Sequence, residues 1–162
     1  MLRDAYDVED GPVALRWPKT PAPSVPAGEV GIGLRGRKVI DGERVCLIGV
    51  GKMLGAALEA AEKLEAHGVS ATVWDPRVVK PLDPVMLDDA GRHDLVITVE
   101  DGLAEGGIGS NIAMRLSSSD ATVKVLGVPT EYLPHDSADV ILSRLGLDGA
   151  GVATAVLAEL GS

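Results

Sequence analysis

The sequence predicts an α/β fold: a three-layer α/β/α domain whose sheet has about five strands, mostly parallel, with one antiparallel edge strand. Three observations support this prediction. From residue 44 onward, short apolar runs of strand length alternate with stretches of helical periodicity. Some runs, such as "DLVITVE" at 94–100, are almost continuously apolar, which is typical of parallel strands covered on both faces. Asp41-Gly42, between two β-type runs, indicates a hairpin that would add the antiparallel strand.

The chain enters this pattern at 38–51, "KVIDGERVCLIGVG", which contains the predicted hairpin. The next stretch, "MLGAALEAAEKLEAHG", predicts a helix that Gly68 ends. Its apolar stripe consists of Leu54, Ala57, Leu58, Ala61 and Leu64. A strand follows at 69–75, "VSATVWD".

A second helix is predicted within "LDPVMLDDAG", residues 82–91. Asp83 is its predicted N-cap, Pro84 suits the first helical position, and Gly91 ends the helix. The remaining elements are a strand at 94–100, a short helix at 108–118, a strand at 121–128 and two closing helices near 137–145 and 149–160. The predicted order from residue 44 is therefore β-α-β-α-β-α-β-α-α.

Composition and charge restrict the classes of function. A net charge of -9 over 162 residues opposes binding to nucleic acid or to an anionic membrane, since both require a basic face. No apolar stretch approaches the roughly 20 residues that span a bilayer. The acidic N-terminus has no signal-peptide pattern. We therefore expect neither nucleic acid nor membrane as a partner.

Cys46 is the only cysteine, so no disulfide framework is possible. A reducing compartment, the cytoplasm, is the default expectation. Cys46 lies in the apolar run "RVCLIGV", without a nearby histidine or asparagine to form a catalytic set. We expect it to be a buried strand residue rather than a nucleophile.

The glycine-rich turn at 49–56, "GVGKMLGA", is the first candidate site. It follows a strand and opens a helix, where free backbone N–H groups and the helix dipole can hold a phosphate. Asp75 ends the next strand 24 residues after Gly51, as the acidic residue of a dinucleotide-binding motif does. However, the glycines run G-x-G-x-x-x-G, one residue longer than that motif, and such turns favour glycine for steric reasons alone. Both interpretations stay open, with the steric one favoured.

Three further groups of polar residues have a functional and a structural interpretation. The turn at 100–111, "EDGLAEGGIGSN", resembles an anion cradle, but its acidic residues oppose a phosphate, so tight chain packing is favoured. The segment 74–84, "WDPRVVKPLDP", is interpreted as an ion-paired loop that fixes a helix start. The histidines show no metal-ligand spacing. His135 could act as a lone acid or base, although a solvated or capping role is favoured; the other two are His67 and His93.

The N-terminal segment contains one isolated strand-like run. "GPVALRWPK", residues 11–19, includes the cations Arg16 and Lys19 and leads into "TPAPSVPAGEVGIGLRG". Three prolines and four glycines in the second stretch disfavour a helix and predict an extended linker. The predicted domain therefore does not account for this first strand.

Seven segments carry a family resemblance: "DGPVALRWPK", the Pro-rich linker, "GVGKMLGAALEAAEKL", "DPRVVKPLD", "VITVEDGLAEGGIGS", "VLGVPTEYLPH" and "LGLDGAGVA". In this order they resemble the C-terminal third of the 1-deoxy-D-xylulose-5-phosphate synthase family. The middle segments are also similar to transketolases and to the β subunits of 2-oxoacid dehydrogenases. "GPVALRWPK" together with "LGLDGAGVA" indicates the synthase in particular.

The resemblance implies a division of the chain into three parts. Residues 1–19 would be the end of a pyrimidine-binding domain with its last strand, 20–37 a linker, and 38–162 a transketolase-type C-terminal domain. The isolated strand then belongs to a sheet whose other strands lie in upstream domains of the same enzyme. We expect residues 1–37 to be mobile or to rest on a neighbouring surface, and the chain to be a C-terminal fragment that supports a homodimer.

The intact enzyme of that family is cytoplasmic and condenses pyruvate with glyceraldehyde 3-phosphate, with loss of CO2, for isoprenoid, thiamine and pyridoxal biosynthesis. It uses thiamine diphosphate and Mg²⁺. The family's Gly-Asp-Gly metal motif with its later Asn pair is not matched here, and its activating histidines and glutamate lie upstream of this region. The resemblance therefore implies no catalytic, cofactor-binding or metal-binding residue in this chain, which is expected to be inactive alone.

The family's phosphate-binding motif, Arg-Tyr-Pro-Arg-Gly, corresponds to Arg16-Trp17-Pro18-Lys19-Thr20. Arg16 and Lys19 are thereby implied to bind the substrate phosphate in the intact enzyme. Lysine offers a point charge where arginine would make a forked contact. Two solvated cations on a strand edge are the alternative.

Two alternatives for the whole chain stay open. One is a fragment of a 2-oxoacid dehydrogenase β subunit or of a transketolase. The other is a free-standing α/β module that binds a phosphorylated ligand at the turn containing Gly49 and Gly51.

Overall fold

The computed structural model describes residues 1–17, 24, 26 and 33–161. Its strands are β1 (Arg37–Ile40), β2 (Val45–Gly49), β3 (Ala71–Asp75), β4 (Leu95–Leu103) and β5 (Thr122–Val128). Its α-helices are α1 (Leu2–Tyr6), α2 (Leu54–Glu65), α3 (Pro84–Ala90), α4 (Ile108–Arg115), α5 (Ala138–Arg144) and α6 (Gly149–Leu160). A short 3-10 helix, Gly51–Met53, leads into α2.

The strands form one sheet in the order β1-β3-β2-β4-β5, which confirms the predicted fold class. The pairings β2–β3, β2–β4 and β4–β5 are parallel, and β1 is the antiparallel edge strand. The predicted hairpin is wrong, because β1 pairs with β3 rather than with β2. Both edges of the fully buried β2 are taken by parallel neighbours, so the half-exposed β1 joins the sheet at its margin.

The connection between β1 and β2 is held against β3 by a glycine. A Cβ on Gly42 would lie 2.4 Å from the carbonyl carbon of Ala71. The hydroxyl of Thr72 donates to the Gly42 carbonyl at 2.8 Å and accepts its N–H at 2.9 Å. This close approach directs the chain across the sheet edge instead of into a two-residue turn.

The side chains of β2 alternate between two helical layers, as a period of two requires. Val45 and Leu47 pack in the cluster that contains α2 and α6. Cys46 and Ile48 pack in the cluster that contains α3 and α4. The sheet is therefore covered on both faces, and Cys46 is buried as predicted; its burial raises the pKa of the thiol.

Local sequence signals place the helices correctly. Of the predicted α2 stripe, Ala57, Ala61 and Leu64 are buried, and the two leucines at its N-terminal end are partly buried against the core. Asp83 caps α3 by accepting the N–H of Val85 at 2.9 Å. These contacts confirm the predicted stripe and N-cap.

The expectation that no apolar stretch approaches the length of a membrane span is wrong. The stretch Ala138–Leu160 has the length and apolar character of a membrane span. It forms two separate helices of 7 and 12 residues, with Gly146 between them at φ +68°. At about 1.5 Å per residue neither helix reaches across a hydrocarbon core of about 30 Å. The buried side chains of α6, such as Val152 and Val156, pack in the core with α2.

The N-terminal segment adds little to this core. Helix α1 has no buried residue, and Tyr6 and Trp17 are 88% and 67% exposed. The described part of the predicted first strand, residues 11–17, forms no strand with the other described residues. Most of the predicted linker, together with Lys19, lies outside the described residues.

Candidate functional site at the carboxyl edge of the sheet

The two glycine-rich turns predicted from the sequence meet at one edge of the sheet. One follows β2 and the other follows β4, and these strands are parallel neighbours. The N–H of Val50, in the first turn, donates at 2.9 Å to the carbonyl of Val99 in β4, the strand that leads into the second turn. From β2 the chain continues to β3, on one side of the pair, whereas from β4 it continues to β5, on the other side. Ligands of open α/β sheets bind at such a point of reversal, so this edge is the candidate site.

The turn after β2 has a steric explanation. A Cβ on Gly49 would lie 2.6 Å from the Cα of Leu54, and Gly51 adopts a φ of +59°. The carboxylate of Asp75, the acidic residue of the alternative dinucleotide motif, accepts the N–H of Arg77 at 3.0 Å. Burial raises the pKa of Asp75. These contacts support the steric interpretation over dinucleotide binding.

The second turn is built around the carboxylate of Glu100, which lies near the end of β4 and is only 6% exposed. Its Oε1 accepts the N–H of Gly109 at 2.8 Å, and its Oε2 accepts that of Ile108 at 3.3 Å. A Cβ on Gly107 would lie 2.4 Å from Oε1. The N-terminus of α4, where a free anion would bind, is thus occupied by the chain's own carboxylate. Tight chain packing at this turn is confirmed, although Glu100 is the bound anion rather than a charge that repels one.

Arg16 reaches the same edge of the sheet. Its Nη2 lies 4.0 Å from Oδ2 of Asp101, and Nζ of Lys52 lies 3.4 Å from the same oxygen. The Arg16 side chain is 83% exposed, so the guanidinium is open to solvent. Sequence reasoning identified Arg16 but missed Lys52 and Asp101. Asp101 directly follows the buried run of β4, and Lys52 lies three residues after the end of β2, so both positions are near the carboxyl ends of parallel strands.

The segment 74–84 is organised differently from the predicted ion-paired loop. Arg77, at φ +53°, directs its Nη1 to the carbonyl of Arg35 at 2.8 Å and to that of Gly33 at 3.3 Å. Asp83 caps α3 and also accepts the N–H of Gly36 at 2.8 Å. The helix start is fixed as predicted, but these charged side chains bind mostly backbone groups of the linker end rather than each other.

The histidines differ in their surroundings. His67 and His135 are exposed, and Nδ1 of His67 lies 2.9 Å from the Lys63 carbonyl, which is a capping contact. His93 is 7% exposed, with Nδ1 at 2.9 Å from the Asp89 carbonyl and Nε2 at 3.0 Å from Oγ1 of Thr72. His93 therefore links the end of α3 to β3.

No group of three or more His, Cys, Asp or Glu side chains suited to a metal ion occurs among residues 1–17, 24, 26 and 33–161. This part of the chain does not fit a magnesium-diphosphate site. The arrangement at the carboxyl edge instead offers exposed cations around a single carboxylate. Such an arrangement can attract an anion.

Comparison with known proteins identifies the domain. The family "Transketolase, C-terminal domain" matches residues 35–152. A 1-deoxy-D-xylulose-5-phosphate synthase 1 of Kitasatospora griseola is 42% identical over 98% of this chain and 25% of its own length. The corresponding protein of Streptomyces coelicolor is 41% identical over the same shares. The chain spans about a quarter of the length of these curated relatives.

Solved structures show the same fold. A split-gene transketolase described as an inactive beta4 tetramer superposes with a TM-score of 0.73 at 32% identity, covering 83% of this chain and 44% of that one. A transketolase from Campylobacter jejuni superposes at 0.55 with 18% identity, over 77% of this chain and 18% of that one, and supports the fold alone. The chain therefore belongs to the transketolase C-terminal domain family and corresponds to a C-terminal part of its synthase relatives.

Proposed function

We propose that the chain is the C-terminal part of a 1-deoxy-D-xylulose-5-phosphate synthase, which condenses pyruvate with glyceraldehyde 3-phosphate with loss of CO2. The extent of the similarity carries the proposal. The family domain begins at residue 35, whereas the synthase relatives match 98% of the chain. Their similarity therefore extends into the N-terminal segment that contains Arg16 and Lys19.

In this proposal the C-terminal domain is a scaffold, and the reaction takes place on upstream domains. Those domains would hold thiamine diphosphate and Mg²⁺, which supply the carbon–carbon bond chemistry. The exposed faces of α1 and of residues 11–17 support packing of this segment on such a domain. The proposal includes a cytoplasmic homodimer and an isolated chain without activity.

The substrate phosphate is assigned to Arg16 and Lys19. The guanidinium of Arg16 is exposed, so a phosphate can approach it. Asp101 lies at 4.0 Å and would hold the side chain near the sheet edge until a dianion competes for it. In an extended chain three residues span roughly 10 Å, so both cations reach one phosphate only if the chain bends near Pro18.

A chimera tests the proposal. The C-terminal quarter of the Streptomyces coelicolor relative is replaced by this chain, and product formation from pyruvate and glyceraldehyde 3-phosphate is measured. We expect turnover by the chimera and none by the isolated chain. A chimera that retains thiamine diphosphate but forms no product would contradict the proposal. Stabilisation of the isolated chain by a nucleotide would instead favour the phosphorylated-ligand module.

The phosphate assignment has its own test in the chimera. Arg16→Ala and Lys19→Ala should each raise KM for glyceraldehyde 3-phosphate about tenfold, because a charge-assisted phosphate contact is lost. KM for pyruvate should not change. Arg3→Ala, at an exposed cation of α1, is the matched control. Equal effects of all three substitutions would contradict the assignment.

A further inference from the structure

The peptide group between Arg35 and Gly36 is held from both sides. Its carbonyl oxygen accepts Nη1–H of Arg77 at 2.8 Å, and its N–H donates to Oδ2 of Asp83 at 2.8 Å. Both binding groups are largely removed from solvent, because the Arg77 side chain and Asp83 are each 7% exposed. Charge-assisted hydrogen bonds are stronger than neutral ones, and the part-buried bond to Asp83 is weakened less by water than the exposed bond from Arg77.

The conformation of Arg77 and the second carboxylate oxygen of Asp83 both have a role beyond the loop and helix in which these residues lie. Arg77 has a φ of +53°, a conformation that persists in a non-glycine residue only where its surroundings enforce it. Asp83 needs one oxygen, Oδ1, to cap α3 through Val85. Its second oxygen is directed to Gly36.

The clamped peptide group also fits closely against the sheet. A Cβ on Gly36 would lie 3.3 Å from the Asp75 carbonyl and 3.4 Å from the ring of Trp74. The linker end therefore lies directly on the last residues of β3. A side chain at position 36 would make contacts tighter than usual and would require a shift of a few tenths of an ångström in the segment or its neighbours.

The same guanidinium faces the N-terminal segment. Nη2 of Arg77 lies 3.8 Å from Oδ2 of Asp4 in α1. Arg77 thus contacts the helix before the linker and the two carbonyls at the linker's end. It is a single point at which the domain holds both ends of the segment that carries Arg16.

We propose that Arg77 and Asp83 form a peptide clamp that fixes where the linker leaves the C-terminal domain, and that they thereby position the N-terminal segment. They act on backbone groups, so the clamp sets the path of the chain rather than recognising a side chain. The part of this inference that concerns substrate rests on the proposed function, in which Arg16 binds a phosphate. In that enzyme Arg77 and Asp83 are positioning residues that contact no substrate.

Hydrogen exchange of the Gly36 amide in this 162-residue chain tests the clamp directly. Asp83→Asn keeps a good N-cap for α3 but replaces one acceptor oxygen with an NH2 group. Arg77→Lys keeps the charge and loses the forked contact. We expect each variant to accelerate exchange at Gly36 about tenfold, the effect of losing one hydrogen bond to a charged group.

Asp148→Asn is the matched control, because Asp148 caps α6 by accepting the N–H of Gly151 at 2.8 Å, a contact that does not involve the linker. It should leave the Gly36 amide unchanged. Trypsin cleavage of the Arg35–Gly36 bond gives a second measurement, since the protease needs this peptide group free. Unprotected exchange at Gly36 in the parent chain, or unchanged exchange and cleavage in both clamp variants, would overturn the clamp.

The positioning role is measured in the chimera. We expect Asp83→Asn and Arg77→Lys to raise KM for glyceraldehyde 3-phosphate several-fold at unchanged kcat, since the phosphate-binding cations lose their fixed position. Faster exchange at Gly36 with an unchanged KM would overturn the positioning role. An inactive parent chimera would contradict the proposed function, while the exchange experiment would still decide the clamp.

Discussion

The carboxylate of Glu100 accepts the backbone N–H of Gly109 at 2.8 Å, at the N-terminus of α4. Added Cβ atoms at Gly102, Gly107 and Gly109 would lie 2.8, 2.4 and 3.3 Å from its oxygens. A glycine-rich turn that resembles an anion cradle therefore serves a side chain of the same protein. The acid and its glycines are one structural unit at the carboxyl end of β4.

Glu100→Gln should lower the free energy of unfolding by about 1–3 kcal/mol, because an amide NH2 would then face a backbone N–H in a buried place. The measurement is urea unfolding at pH 7. Glu105→Gln, the same change at an exposed position of the turn, should alter stability by no more than about 0.5 kcal/mol. Equal losses in both variants would contradict a special role for Glu100.

Replacement by valine should have opposite effects on stability at Thr98 and at Thr72. Both are fully buried, on strands β3 and β4, which lie on either side of β2. Oγ1 of Thr98 has no hydrogen-bond partner among the described residues, whereas that of Thr72 contacts Gly42 twice and Nε2 of His93. Thr98→Val should be neutral or stabilising by up to about 1 kcal/mol, and Thr72→Val should destabilise by about 1–3 kcal/mol. A loss at position 98 as large as that at 72 would show an unrecognised partner.

Asp89 predicts a pH dependence of stability. Burial alone would raise the pKa of this carboxyl, but hydrogen bonds from Nε1 of Trp74 at 2.8 Å and from Lys38 at 3.0 Å offset burial and hold the pKa below its usual range. The ionised form therefore stabilises the fold above about pH 4, and this stability is lost as the pH falls through the lowered value.

Asp89→Asn should cost about 1 kcal/mol at pH 7, and the difference from the parent should vanish near pH 2. Unfolding free energies measured across this range give the comparison. Asp88→Asn, at an exposed neighbouring position, should show no such convergence. A constant difference between parent and Asp89→Asn would rule out the ionised pair as its source.

Gly49 and Gly55 predict opposite effects of alanine at the start of α2. A Cβ on Gly49 would lie 2.6 Å from a backbone atom of Leu54, while Gly55 has nothing within 4 Å. Gly49→Ala should destabilise by about 1–3 kcal/mol through a forced backbone shift. Gly55→Ala should stabilise by about 0.5 kcal/mol, since glycine in a helix costs entropy. Thermal unfolding of both variants provides the test, and stabilisation at position 49 would disprove the steric explanation.

Features that depend on neighbouring residues could be predicted from the sequence. The caps of α3, the stripe of α2 and the order of strands and helices depend on contacts within a few residues. The burial of Cys46 also followed from its apolar neighbours. Such contacts leave a direct signal in the sequence, as the spacing of apolar residues and as the residue types at caps and turns.

Other features could not be predicted because their partners are distant in the chain. Asp41-Gly42 predicts a hairpin locally, but the backbone of β3 receives β1 instead. His93 looks like a turn residue until Thr72 from another strand meets its ring. Arg77 and Asp83 are interpreted from the sequence as members of a charged loop. In the structure they bind the peptide group between Arg35 and Gly36, more than 40 residues earlier in the chain.

The sequence by itself determined the fold class, the order of the strands and helices from residue 44 and the family resemblance, because these depend on local pattern and on motif order. Only the tertiary structure decided which strand β1 joins, what occupies the glycine-rich turn after β4 and what holds the linker. Each of these depends on hydrogen bonds between groups far apart in the chain. Their partners are decided when the sheet assembles, because buried donors and acceptors must then find one another.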